Sequence, residues 1–158
     1  MSTKSTTAAR EIEPLDEAEC RRLLGQSGIG RLVVVVGHQP DIFPVNYFVE
    51  HTESDDGSST DEIVIRTAEG TKLAAALMGR NVAFEIDAFD PAHHAGWSVV
   101  VHGTAHESRT LPAVMHDEEL PVEPWAAGEK LRFIRITIDT ITGRLLPPRP
   151  DETEEEQA

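Results

Sequence analysis

The sequence predicts a mainly β fold with short helices, in which six strands close into an antiparallel barrel. Three observations carry this. Strand-like runs recur six times, they are joined mostly by hairpin-sized connections, and one helix is inserted after the third of them. A doubly wound sheet would instead alternate strands with helices along the whole chain. At 158 residues the chain fits one domain, and no internal repeat is visible.

Residues 1–14 are polar and aperiodic and are expected to form a disordered arm, with the folded domain spanning residues 15–146. In LDEAECRRLLGQ, Asp16 and Glu19 have capping-box spacing, and Leu15, Ala18, Arg22 and Leu23 fall near one face of a short helix that Gly25 ends. That face leaves Cys20 on the charged side. Leu32 to Val36 is an apolar run with the character of a buried strand, followed by a turn at Gly37-His38-Gln39-Pro40. Asp41 to Glu50 returns as a second strand, with Pro44 marking an edge or bulge. An acidic segment, SDDGSSTDE, reads as a solvated loop before the strand Glu62–Thr67 and a helix from Thr71 to about Met78. Asn81 to Phe89 alternates, with Val82, Phe84, Ile86 and Ala88 on one face. Trp97 to Ser108 is a long strand kinked at Gly103. A short helix is expected near Pro112–Leu120, then a last strand from Lys130 to Asp139. Residues 147–158 are expected to form a disordered acidic tail.

Composition narrows the function. The chain carries 28 acidic and 14 basic residues, a net charge of −14, which argues against a nucleic-acid partner because phosphate backbones demand a basic face. No run approaches the roughly 18 apolar residues of a membrane helix. The N-terminus lacks an apolar secretory core, so a cytoplasmic location is expected. One cysteine, Cys20, leaves no internal disulfide, zinc ribbon or CxxC pair. No GxSxG, HExxH, P-loop or GxGxxG motif occurs. His102 and His106 share a strand face, but no carboxylate or cysteine stands at ligand spacing beside them, so a metal site is not expected.

One segment stands out. IRTAEGTKL, from Ile65, places Arg66 and Thr67 at a strand end and Thr71 and Lys72 at a helix start. The free N–H groups and positive dipole of a helix N-terminus suit a phosphate, and these four side chains add donors and cations. An ordinary capped helix with both cations in solvent fits the same residues. Asn46 interrupts an apolar stretch, and a buried amide there would need partners, which a heteroaromatic ring edge supplies. Trp97 and Ser98 fit either a core and edge pair or a site.

The order of GRL, FPVNY (Phe43–Tyr47), IRTAEGTKLAAAL (Ile65–Leu77), NVAFEID, GWSVVVHGTAHE and IRITIDTITGR resembles the pyridoxamine 5′-phosphate oxidase-like family of FMN-binding split barrels, in particular its unassigned actinobacterial branch. The resemblance implies a six-stranded split β-barrel that forms a homodimer with FMN at the interface. On that pattern Arg66, Thr67, Thr71 and Lys72 hold the FMN phosphate, and Pro44, Val45, Asn46 and Tyr47 line the isoalloxazine ring. Ile65 and Arg66 pass beneath its pyrimidine side, and Trp97 and Ser98 complete the site from the partner subunit. The implied function is an FMN-dependent oxidoreductase acting on a small molecule, with no catalytic residue legible.

The chain departs from that pattern after Trp125. The tryptophan and paired basic residues that grip a substrate phosphate in true pyridoxamine 5′-phosphate oxidases are missing, and an anionic tail stands in their place. Authentic pyridoxamine 5′-phosphate oxidation is therefore not expected. Three alternatives keep the fold: a deazaflavin cofactor, for which the chain's three lysines are few; haem, with His102 or His106 as axial ligand; and a flavin-binding protein without catalysis.

Overall fold

The computed structural model describes residues 10–26, 28–68, 77, 79–108 and 131–148. The two expected helices after residue 70 and near residue 115 lie outside these, except that Leu77 is helical and buried. Among the described residues there are nine elements: β1 (Glu13–Leu15), α1 (Glu17–Leu24), β2 (Gly28–Val36), β3 (Gln39–Glu53), β4 (Ser59–Ala68), β5 (Asn81–Asp90), β6 (Ala95–Ser108), β7 (Leu131–Thr137) and β8 (Thr140–Leu146). The eight strands form one sheet in the order β1-β8-β6-β5-β2-β3-β4-β7, and a further β6–β7 pairing closes six of them into a ring. Every strand pairing is antiparallel.

Inside the ring the period-2 alternation of each strand supplies one layer of the core. Leu32 and Val34 come from β2, Tyr47 from β3, Ile63 and Ile65 from β4, Phe84 and Ile86 from β5, Val99 and Val101 from β6, and Ile134 and Ile136 from β7. Each such side chain contributes about 1.5–3 kcal/mol through removal from water. Gly30 makes room for Phe84, whose Cζ would lie 2.1 Å from a Cβ at position 30.

Helix α1 packs on β8 and β6 beside the ring. Asp16 accepts from the Glu19 amide at 2.8 Å, as the capping spacing predicts. The buried face is Cys20, Leu23 and Leu24, whereas Ala18 and Arg22 are exposed, so the expected face is rotated. Its cause is β8: Gly143 leaves a space into which the Cys20 sulfur fits, and a Cβ there would sit 2.6 Å from Sγ. Cys20 thus belongs to the core, and burial pushes its thiol pKa up.

Strands β1 and β8 are additional to the six expected, and β1 begins two residues before the expected domain start, with Glu13 opposite Leu145. Arg10 holds this edge by donating to the carbonyls of His94 (2.9 Å) and Pro147 (2.8 Å). The acidic loop is shorter than expected. β3 and β4 run on to pair His51 with Asp61 and Glu53 with Ser59, and the remaining turn is tied by the Ser54 amide to the Ser58 carbonyl (2.8 Å). No helix among the described residues is long and apolar enough to cross a membrane.

The split lies at Gly103. Along one edge β6 pairs with β8 as far as His102–Thr140, then with β7 from Ala105–Ile136. At the change of partner, the Thr137 carbonyl approaches so closely that a Cβ on residue 103 would lie 1.7 Å from its oxygen. The Thr104 amide donates to Thr137 Oγ1 (2.9 Å) and the Asp139 amide to the His102 carbonyl (3.0 Å). Gly103→Ala must therefore displace backbone. It should cost about 1–3 kcal/mol or more, read as a lowered urea midpoint.

A surface pair gives a pH-dependent contribution. His51 Nδ1 lies 2.5 Å from Asp61 Oδ1, while Arg21 Nη1 reaches Asp61 Oδ2 at 3.3 Å from α1. The hydrogen bond and charge of Asp61 raise the His51 pKa above the ordinary 6.5. A raised histidine stabilises the fold fully below its unfolded value and loses that effect as pH rises through the folded value. The Tm difference between wild type and His51→Gln should be larger at about pH 6 than at about pH 9.

Candidate cofactor site

Strand parity decides what β3 and β4 present to each side. Residues 43, 45, 47 and 49 turn inward, and Tyr47 is buried with its hydroxyl donating to the Leu24 carbonyl at 2.9 Å. Its ring meets Phe84 edge-on with centroids 4.9 Å apart, and burial raises the phenol pKa. Ile65 stands opposite Tyr47 on β4 and is fully buried. Val45 packs against the same core. Pro44 and Asn46 therefore face outward and are exposed. The Asn46 amide is not buried in this chain: water satisfies it, or a ligand on the outer face.

Arg66 follows Ile65 and faces outward, half-buried, opposite Phe133 of β7. The Thr67 backbone pairs with Arg132; the Thr67 side chain lies outside the described residues, as do Thr71 and Lys72. Because Tyr47 pairs with Ile65, Asn46 and Arg66 each stand one step past that pair, on the same face of adjacent strands. Trp97 packs on the core between Ala88 and Leu145, while Ser98 turns outward between Asp87 and Arg144. The structure thus places Pro44, Asn46 and Arg66 together on the outer side of β3 and β4, whereas Ser98 also faces outward but on β6, three strands from β3 around the ring. It places the side chains of Val45, Tyr47, Ile65 and Trp97 toward the interior.

Two charge groups on this outer face were not singled out as site residues from the sequence. Arg31 stands opposite Pro44, donates through Nε to Glu85 at 2.6 Å, and is bonded to Asp87. The Glu85 hydrogen bond, aided by Asp87, outweighs desolvation and raises its pKa. A cation inside the apolar run GRLVVVV was the available signal. On β7, Arg135 is bonded to Glu50 of β3 and lies 3.1 Å from Glu62 of β4. Burial opposes its charge, but the hydrogen bonds to both carboxylates prevail and raise its pKa. His106 Nε2 extends the group to Glu62 Oε1 at 3.3 Å. This network spans the row of the sheet beside Arg66 and ties β3, β4 and β7 together. Among the described residues no three His, Cys, Asp or Glu side chains cluster as metal ligands.

A six-strand ring in which one long strand divides its edge between two neighbours defines a split β-barrel. The chain belongs to the pyridoxamine 5′-phosphate oxidase family, which it matches over residues 16–145. It is 33% identical over 144 residues to an uncharacterized protein of Mycobacterium tuberculosis, covering 88% of each chain. Among solved structures it is similar to an FAD-binding protein from Mycobacterium smegmatis, with 34% identity, a TM-score of 0.67, and 85% and 98% of the two chains covered. A conserved protein of unknown function from Corynebacterium diphtheriae matches at 32% identity and a TM-score of 0.66, with 86% and 98% covered.

The Tyr47 hydroxyl serves structure here. Tyr47→Phe leaves the Leu24 carbonyl without its partner and should cost about 1–3 kcal/mol in chemical denaturation. Because the phenol points away from the outer face, flavin binding measured on the folded variant should stay within about twofold of wild type.

Proposed function

We propose that this chain binds FMN and uses it in an oxidation or reduction of a small molecule. The observation that carries the reading is the placing of Asn46 and Arg66 side by side on the outer face, where β4 leads toward Thr71 and Lys72. An amide suits the hydrogen-bonding edge of a flavin ring, and Arg66, Thr67, Thr71 and Lys72 suit its phosphate. Bound there, the flavin would supply hydride or electron transfer. The chain's own part is to bind, orient and shield the ring. Arg66 and Lys72 neutralise the phosphate, Asn46 and Pro44 border the ring, and Ser98, on the far side of the barrel, would be supplied by a second copy of the chain.

The same face exposes Ile29 and Ile42, 64–66% accessible, on either side of the Arg31–Pro44 pair. Apolar side chains grouped this way suit a protein partner, and we propose a second copy of the chain, with the flavin between the two. A second reading of the cofactor is FAD, favoured by the likeness to the FAD-binding protein of Mycobacterium smegmatis.

The purified protein should be yellow, and the flavin released on denaturation should co-chromatograph with FMN. FAD, a deazaflavin or haem in its place replaces the cofactor assignment. A colourless protein that binds neither added FMN nor added FAD removes the reading. Arg66→Ala with Lys72→Ala removes two charge-assisted contacts of about 1.5–3 kcal/mol each, so FMN affinity should fall about 100-fold or more. A bound flavin that neither NADH, NADPH nor a panel of oxidants turns over makes the protein a flavin carrier instead of an enzyme.

A further inference from the structure

The β2–β5 ladder holds three residue pairs, from Arg31–Glu85 to Val33–Ala83. Past the last of them an open groove of about 410 Å³ lies on the outer face, within the range of small-molecule sites. Val33 and Val35 of β2 and Ala83 of β5 give it apolar walls, and Asn81, His102 and Asp139 line the opposite part. Among the described residues Asp139 is the one lining residue of the types Asp, Glu, Lys and Arg. Its Oδ1 accepts from Thr137 Oγ1 at 2.8 Å, and Oδ2 takes no hydrogen bond among the described residues. The Asn81 carbonyl oxygen faces Thr104 Oγ1 at 3.3 Å, and His102 Nδ1 faces Thr140 Oγ1 at 3.5 Å. At the β2 end, Arg80 donates to the Val35 carbonyl at 3.4 Å, so the groove has a positive rim at one end and a carboxylate at the other.

We propose that this groove binds a small organic cation, an amine or amidine on an apolar body. The charged head sits on Asp139 within reach of Asn81 and His102, and the body lies against Val33, Val35 and Ala83. The rim at Arg80 repels the head and the carboxylate draws it, which fixes the direction of binding. The net charge of −14 raises the local concentration of cations around the whole chain. The site is distinct from the cofactor corner: Val33 is four residues, about 13 Å, along β2 from Ile29, the partner of Asn46. It does not depend on the flavin reading.

Benzamidine is a suitable probe, with benzoate as its anionic counterpart. Titrated into the full chain and followed by calorimetry and amide chemical shifts, benzamidine should bind saturably and shift Asn81, His102 and Gly103, whereas benzoate should not. Asp139→Asn, which keeps the shape of the side chain, should weaken benzamidine at least fivefold. Ala83→Leu fills the groove from the far wall and should do the same. A smaller loss in both variants overturns the proposal, as does equal binding of benzoate. Absence of saturable binding overturns it too, including the case in which a second copy of the chain closes the groove.

Discussion

Ring closure at Gly103 is the constraint on which the other features depend. Strand β6 pairs with β5 along one edge and with β8 and then β7 along the other. The change of partner requires a backbone carbonyl to occupy the space of a side chain, which only glycine allows. Once the ring is closed, every strand has one inside and one outside, and a slip of one residue would exchange them. That Asn46 and Arg66 face out while Tyr47 and Ile65 face in therefore follows from pairing that is completed elsewhere in the barrel.

The charges of the outer face reinforce that parity. Arg135 with Glu50 and Glu62 joins three strands, and in any other register the buried charges would lose their partners. Such a group adds little net stability over apolar residues of like size, yet breaking it is costly, so its effect is to penalise wrong registers. Arg31 with Glu85 and Asp87 forms a more exposed link between β2 and β5 at the first pair of their ladder. Arg66 lies on β4 two residues beyond Val64, whose partner is Arg135, so its position inherits the accuracy of this network.

Where the pattern was strong it was legible. Val82, Phe84 and Ile86 are buried as their alternation predicts, and Gly103, where a kink was expected, is where β6 changes partner. β8 was missed because its inward positions are Ile141 and Gly143, and a glycine in the middle removes the apolar signal that would mark a strand. The reason for that glycine is Cys20 on α1, a contact 123 residues away that no local window contains. The acidic loop was overextended because composition reads Ser54 to Glu62 as solvated, whereas pairing with β3 and the His51–Asp61 contact hold Ser59 to Glu62 as ladder. The outward cations and amide of the site were visible as residues out of place in apolar strands. Their common face was not, since it depends on the register between β3 and β4.

An acidic chain proposed to grip a cofactor phosphate is less contradictory than its net charge suggests. The described carboxylates nearest the outer face are largely answered in place: Glu85 and Asp87 by Arg31, Glu50 and Glu62 by Arg135. Part of the remaining acidic excess belongs to Asp55 and Asp56 and to sequence segment 151–156. Exposed charges act over about 8 Å at physiological salt, so the field at Arg66 is set by its own neighbours and not by the sum over the chain. The sum governs what approaches from solution, where a negative surface slows anions and gathers cations. Under the proposed function, a cofactor phosphate held once by local donors and a substrate that must arrive repeatedly would be subject to different parts of the same charge distribution, which would favour neutral or cationic substrates over phosphorylated ones.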